Sequence, residues 1–248
     1  MLVNSDTKFF IGGTQADKVM LGTSVIWEKT TDLIPNNEIW YVTSDNTYIN
    51  YDKSWYDTQL FGATVVSHTY NDSKGVMKFD NDVPFLKNKT FTSNSSLKSI
   101  TLPNSITEIG LSTFSYCTKL TNIKLPGNLT YIGGKSFQYC SMLSSITIPS
   151  KVTIINGQAF EKCIALTTIT IPKSVTEIGF GVFRNCTNLA EVYFKSTTPP
   201  KLTDDYYPDS IFSGCSSNLK IYVPRGTKEL YKATFKGYYS SNLVEYDN

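Results

Sequence analysis

The chain of 248 residues holds one histidine, His68. Catalysis through an imidazole base therefore has a single candidate, and it sits inside the β-prone run ATVVSHTY, where a strand residue is the simpler account. No apolar run approaches the ~20 residues that span a bilayer, so no membrane span is expected. Basic and acidic residues nearly cancel, 23 against 21, which argues against nucleic acid or an anionic membrane as the main partner. The opening MLVNSDTKFF has no basic segment leading into an apolar core, so no export signal is predicted. The expectation is a surface or extracellular protein if a signal was trimmed, and otherwise a virion-associated or cytoplasmic one. No spacing of His, Cys or Asp resembles a zinc site. Asp80-Asn81-Asp82 and Asp204-Asp205 lack the spaced oxygens of a calcium loop and are expected as solvated turns. Neither a metal nor a cofactor is expected.

What the chain does contain is a sentence of 23 residues written four times from Leu97 to Leu189. Leucines recur at Leu97, Leu120, Leu143, Leu166 and Leu189, and cysteines at Cys117, Cys140, Cys163 and Cys186. A fixed period of this length marks a stack of similar coils. Counting back from Ile106, Phe114 and Cys117 lands on Val83, Phe91 and Asn94, and Met77 and Phe79 match Ile100 and Leu102. Residues 75–96 thus form a degenerate first coil, as a unit covering the end of a core should. At the other end Phe183 to Phe212 is a step of 29, which places six extra residues near 199–209.

Four regions follow. Residues 1–30 are a small β meander or arm, and 31–74 an aromatic, β-rich N-terminal region. Residues 75–223 are the repeat body of about six coils, and 224–248 a C-terminal cap with a short amphipathic helix from about Thr227 and a last strand in NLVEY.

Within a coil, Ile100 and Leu102 alternate inward on a short strand that Pro103 ends. Ile106 and Ile109 point back into the core, and Phe114, Cys117 and Leu120 have the spacing of a short helical turn. The position of Gly110 is filled in later coils by Gly133, Asn156 and Gly179, which predicts a left-handed backbone there. The regular cysteines are expected as buried free thiols, although stacked neighbours could come within disulfide reach.

The pattern L-x-x-I-x-[LI]-P-x-x-[ILV]-T-x-I-[GN]-x-x-x-F-x-x-C resembles the BspA-like class of bacterial leucine-rich repeats over about Gly75 to Val223. The resemblance implies an α/β leucine-rich-repeat solenoid of short parallel strands and short helical turns, with a small β-rich N-terminal region and a helical C-cap. It also implies a non-enzymatic interaction or adhesion module, at the cell surface or secreted, whose partner is another protein from a host or matrix. A phage-tail or virion component is the first alternative. A glycan-binding protein or enzyme acting through the aromatic N-terminal region is the second.

Site candidates are the positions that packing does not explain. The outward strand stripe runs Ser99, Thr101, Asn122, Lys124, Ser145, Thr147, Thr168, Thr170, Glu191 and Tyr193, and only its end carries the aromatic type that anchors interfaces. Tyr193 is therefore the first candidate. Asp204, Asp205, Tyr206 and Tyr207 in the insertion are the next, since insertions in solenoids fall in loops on one face. Trp40, Trp55 and Tyr56 are offered by the N-terminal region, most of whose aromatics are expected in its own core.

Overall fold

The computed structural model describes residues 34–51, 57–203, 211–236 and 239–247, and the backbone of 10–11, 14–15, 18–21 and 24–28. Its contacts divide the chain into residues 1–34 and 35–248. In the first unit Phe10–Ile11 pairs antiparallel with Thr14–Gln15, and Lys18–Leu21 with Ser24–Glu28.

The second unit is a parallel solenoid with an antiparallel sheet at its N-terminal end. One wall is a six-stranded parallel ladder of two-residue strands: Phe85–Leu86, Glu108–Ile109, Tyr131–Ile132, Ile154–Ile155, Glu177–Ile178 and Lys201–Leu202. The other wall carries the longer strands. Leu97–Thr101 pairs with Asn122–Lys124, while Thr168–Ile171, Glu191–Phe194, Lys220–Pro224 and Leu243–Tyr246 form a second group. Between the two groups Ser144–Ile148 runs without an assigned strand.

A third wall closes each coil. Phe114, Cys117 and Leu120 do not continue as a helix. Cys117 N–H donates to Phe114 O at 3.1 Å and Leu120 N–H to Cys117 O at 3.0 Å, giving consecutive tight turns. Their free amides reach the next coil, as Phe114 to Ser136 O and Phe137 to Ala159 O. Among the described residues the helical content is confined to short pieces, Asp57–Phe61 and Lys228–Thr234 among them.

The core is a set of columns. Phe91, Phe114, Phe137, Phe160, Phe183 and Phe212 stack with successive centroids 5.4 to 5.7 Å apart. Each is buried, and burial of a side chain of this size contributes roughly 1.5–3 kcal/mol. The cysteine column beside them is explained by a shared hydrogen bond. Cys117, Cys140, Cys163, Cys186 and Cys215 are free and direct their thiols at the carbonyls of Phe91, Phe114, Phe137, Phe160 and Phe183, at 3.0 to 3.4 Å. Cysteine is small and apolar enough for the core, and its S–H weakly satisfies one carbonyl per coil. Asn94 heads this column. Its amide donates to Phe91 O and Asn50 O and its oxygen accepts from Asn50 N–H, which ties the first coil to the chain before it.

Two further expectations change. The glycine column is not left-handed: Gly110, Gly133 and Gly179 have ordinary φ, and positive φ falls at Lys89, Ser112, Lys135, Gln158 and Gly181, and at Ser93, Tyr116, Tyr139, Lys162, Asn185 and Gly214. The glycines are demanded by crowding instead. A Cβ on Gly133 would lie 2.5 Å from the carbonyl carbon of Gly110, and one on Gly179 2.2 Å from the nitrogen of Gly157. The left-handed positions are held by amides bonded to the next coil, such as Ser112 to Gly134 O and Tyr116 to Gln138 O.

The second change concerns Met77 and Phe79. Both are buried, but their strand Lys74–Phe79 is not a parallel neighbour of Leu97–Thr101. Glu38–Thr43 lies between them and pairs antiparallel with each, and Val65–Asn71 completes the sheet on the far side. Phe61 closes the core there, 5.8 Å from Phe91, and Tyr239 and Phe235 close it against Phe212 at the other end.

Candidate binding face on the strand wall

Strand pairing places every second residue of the longer strands in solvent-facing rows. One row runs Trp40, Thr101, Lys124 in the N-terminal group and Thr170, Tyr193, Tyr222 in the C-terminal group, each residue paired with its neighbour within the group. Thr147, at the same repeat position, falls between them. The centre is short or polar and the two ends are aromatic. Five strand spacings separate Trp40 from Tyr193, on the order of 24 Å along the wall.

At the C-terminal end, Tyr193 stacks on Tyr222 with centroids 4.4 Å apart and planes 5° from parallel. Tyr246 of the last strand meets both edge-on, at 5.7 and 6.3 Å. Glu191 sits beneath them, its two oxygens accepting from the hydroxyls of Tyr193 at 3.2 Å and Tyr222 at 3.3 Å. Lys195 Nζ lies 4.9 Å over the Tyr246 ring. Burial in the stack, then the hydrogen bond and charge of Glu191, push the Tyr193 phenol up to about 12. It stays a neutral donor at physiological pH. The rings are fixed before any partner arrives, which lowers the ordering cost of binding.

At the N-terminal end the strand Glu38–Thr43 alternates half-buried and buried residues, so Tyr41 enters the core while Trp40 faces out. Lys74 Nζ lies 3.2 Å over the Trp40 ring, and the indole N–H donates to Glu38 at 2.7 Å. Lys78 pairs with the same carboxylate at 3.1 Å. Burial lowers the Lys74 pKa against the pull of Glu38.

His68 lies elsewhere, in the N-terminal sheet, 2.6 Å from the hydroxyl of Tyr41 and in ring contact with Tyr48 and Tyr51. Burial raises the Tyr41 phenol to about 12, so this hydroxyl stays protonated where it packs against the imidazole. Asp80 accepts from the amide of Thr64 at 2.8 Å and Asp82 from Asn36 at 3.3 Å. Among the described residues no three His, Cys, Asp or Glu side chains gather as a metal set, and no helix is long and apolar enough to cross a membrane.

Of the predicted site residues, the structure puts Tyr193 and Trp40 on one face. Asp204, Asp205, Tyr206, Tyr207, Trp55 and Tyr56 lie outside the described residues. Sequence reasoning missed Tyr222 and Tyr246. Tyr222 stands 29 residues after Tyr193, the same step that separates Phe183 from Phe212, so carrying the insertion through the register finds it. Tyr246 has no periodic signal.

Stacked coils with a columnar core and outward rows free of packing duties define a leucine-rich-repeat solenoid, a scaffold for surfaces. Six copies of the BspA type leucine rich repeat region match residues 70–190 and 143–247, and the chain belongs to this family. The structure is similar to a leucine rich repeat protein of T. pallidum, with 34% identity, a TM-score of 0.52, and coverage of 57% of this chain and 63% of that one. A leucine-rich repeat protein from Bacteroides ovatus is 30% identical over 62% of this chain and 37% of its own, with a TM-score of 0.48. A leucine rich cell surface protein from Faecalibacterium prausnitzii is 31% identical over 55% and 34%, with a TM-score of 0.44. This chain thus spans less than two thirds of the length of each. No curated protein matches it.

Proposed function

We propose that the chain is a non-enzymatic adhesion or protein-interaction module, at a bacterial cell surface or secreted, that binds a host or matrix protein through its strand wall. The observation that carries this reading is the outward cluster of Tyr193, Tyr222 and Tyr246, stacked at 4.4 Å and anchored on Glu191. Packing of the coils does not require it, since the equivalent positions one and two coils earlier are Thr170 and Thr147. Aromatic rings held rigid on an exposed face are the usual energetic anchors of protein interfaces. Asp204, Asp205, Tyr206 and Tyr207 lie in sequence between Tyr193 and Tyr222, and we include them as secondary anchors. Family membership supports surface display, and the repeat fold supports binding over chemistry.

The test is surface plasmon resonance of the whole chain over a panel of immobilised extracellular-matrix proteins. At least one should bind, and Tyr193→Ala with Tyr222→Ala should weaken it by about tenfold or more while the melting temperature stays close to that of the parent. Unchanged affinity in that double variant sinks the proposal.

A further inference from the structure

Where each coil leaves the two-residue ladder, the surface carries an open depression of about 400 Å³ over Gly110, Gly134 and Gly157. Its origin is a row of equivalent positions reading Asn88, Leu111, Gly134, Gly157 and Phe180. Two adjacent coils lack a side chain, so the row has a notch about two strand spacings wide, on the order of 10 Å. Neither Gly134 nor Gly157 has positive φ. A Cβ on Gly134 would come no closer than 3.1 Å to any atom and one on Gly157 no closer than 3.2 Å, tight contacts short of overlap. These two glycines are not demanded by the fold as Gly133 and Gly179 are. What they supply is the open floor.

The notch is amphipathic. Leu111, 43% exposed, forms an apolar wall, and the flat floor is bare backbone. Around it stand Glu108, Tyr131, Asn156 and Lys135. Tyr131 accepts from the Asn156 amide at 2.9 Å, which leaves its hydroxyl proton to donate outward. The Leu111 amide is met by Asn88 Oδ1 and that of Gly157 by Asn156 Oδ1, but nothing among the described residues accepts from Gly134 N–H. Glu108, 3.5 Å from Lys87, adds a carboxylate acceptor.

We infer that this notch binds one neutral hexopyranose, the terminal sugar of a glycan. A pyranose has an apolar C–H face for Leu111 and the glycine floor, and a rim of hydroxyls that each donate and accept. That rim matches a carboxylate acceptor beside phenol, amide and ammonium donors. Glu108 and Lys135 leave the lining without net charge, which suits a neutral ligand, and a wholly apolar one would desolvate Glu108 and Asn156 without recompense. Among the described residues Glu108 is the one carboxylate in the lining, whereas glycoside hydrolysis ordinarily uses two, so the inference is of binding alone. It is separate from the strand wall and does not depend on the protein-binding reading.

Saturation-transfer NMR on the whole chain, with the methyl glycosides of glucose, galactose, mannose and N-acetylglucosamine, tests this. At least one should bind saturably, with Kd on the order of millimolar. Gly157→Val should abolish the signal by filling the floor, and Glu108→Gln should weaken it about tenfold without changing the melting temperature. Tyr193→Ala should leave it intact. Absence of signal from all four sugars overturns the inference. So does binding that survives both substitutions, or binding lost in Tyr193→Ala.

Discussion

Phe137 stacks on Phe160 at 5.4 Å and 4° inside the coils, and Tyr193 stacks on Tyr222 at 4.4 Å and 5° outside them. One geometry makes both, because superimposed coils bring equivalent side chains together wherever they point. The inner column has a ring in every coil from Phe91 to Phe212 and nothing exposed. The outer row is aromatic only near its two ends. Uniformity inside is what a continuous core requires, since one coil alone cannot offset its ordering entropy. Unevenness outside is not needed for folding, and that is why the outer rings point to recognition.

The sharpest way to break the comparison is to remove one ring from the column. Phe137→Ala should cost about 3–5 kcal/mol of stability in denaturant unfolding, because a rigid stack on both sides cannot collapse into the cavity. A loss below about 1 kcal/mol would show that the column is not what holds the coils together. Next in size are the crowded glycines. Gly179→Ala forces a methyl onto the Gly157 backbone and should cost roughly 1–3 kcal/mol. Gly127→Ala, whose Cβ would meet only Asn104 Oδ1 at 3.9 Å, should lie within about 0.5 kcal/mol of the parent.

The outer pair should behave differently. Tyr193→Ala should lower stability by no more than about 1.5 kcal/mol, far less than its effect on partner binding. Its phenol offers a pH test. The folded pKa of about 12 lies above the ordinary value of 10.0, so folding favours the neutral form. That contribution is full below about pH 10 and is lost as pH rises through the folded pKa. The phenolate absorbance missing from a Tyr193→Phe difference spectrum should therefore emerge late, and Glu191→Gln should bring it earlier. The smallest effect is expected at the pair Arg225–Asp247, 2.9 Å apart with side chains 74% and 76% exposed. Arg225→Ala should move the melting temperature by no more than the error of the measurement.

The repeat body was legible because its contacts are periodic. Ile109 pairs with Ile132, Phe114 stacks on Phe137, and each thiol repeats one bond to the coil before it, so the letters that pack also recur. The N-terminal sheet was legible as a β-rich region, with the run around His68 becoming the strand Val65–Asn71, but not as an arrangement. Periodicity matched Met77 with Ile100 by spacing, yet the strand between them comes from about sixty residues upstream. The glycine column was found for the wrong reason. A recurring glycine is the same letter whether φ or a neighbouring backbone demands it, and only the coil-to-coil distance separates the two. Half the candidate face was likewise visible, through Tyr193 and Trp40 as separate residues.

The sequence by itself determined the period, the identity of the inward columns and the place where the period breaks. These follow from local alternation and from contacts between copies of one motif. The tertiary structure decided which residues outside the period became neighbours: Trp40 beside Thr101, and Tyr246 edge-on to Tyr193 and Tyr222. Those contacts depend on strand order and on the length of chain looped out between strands, and no repeating letter records either.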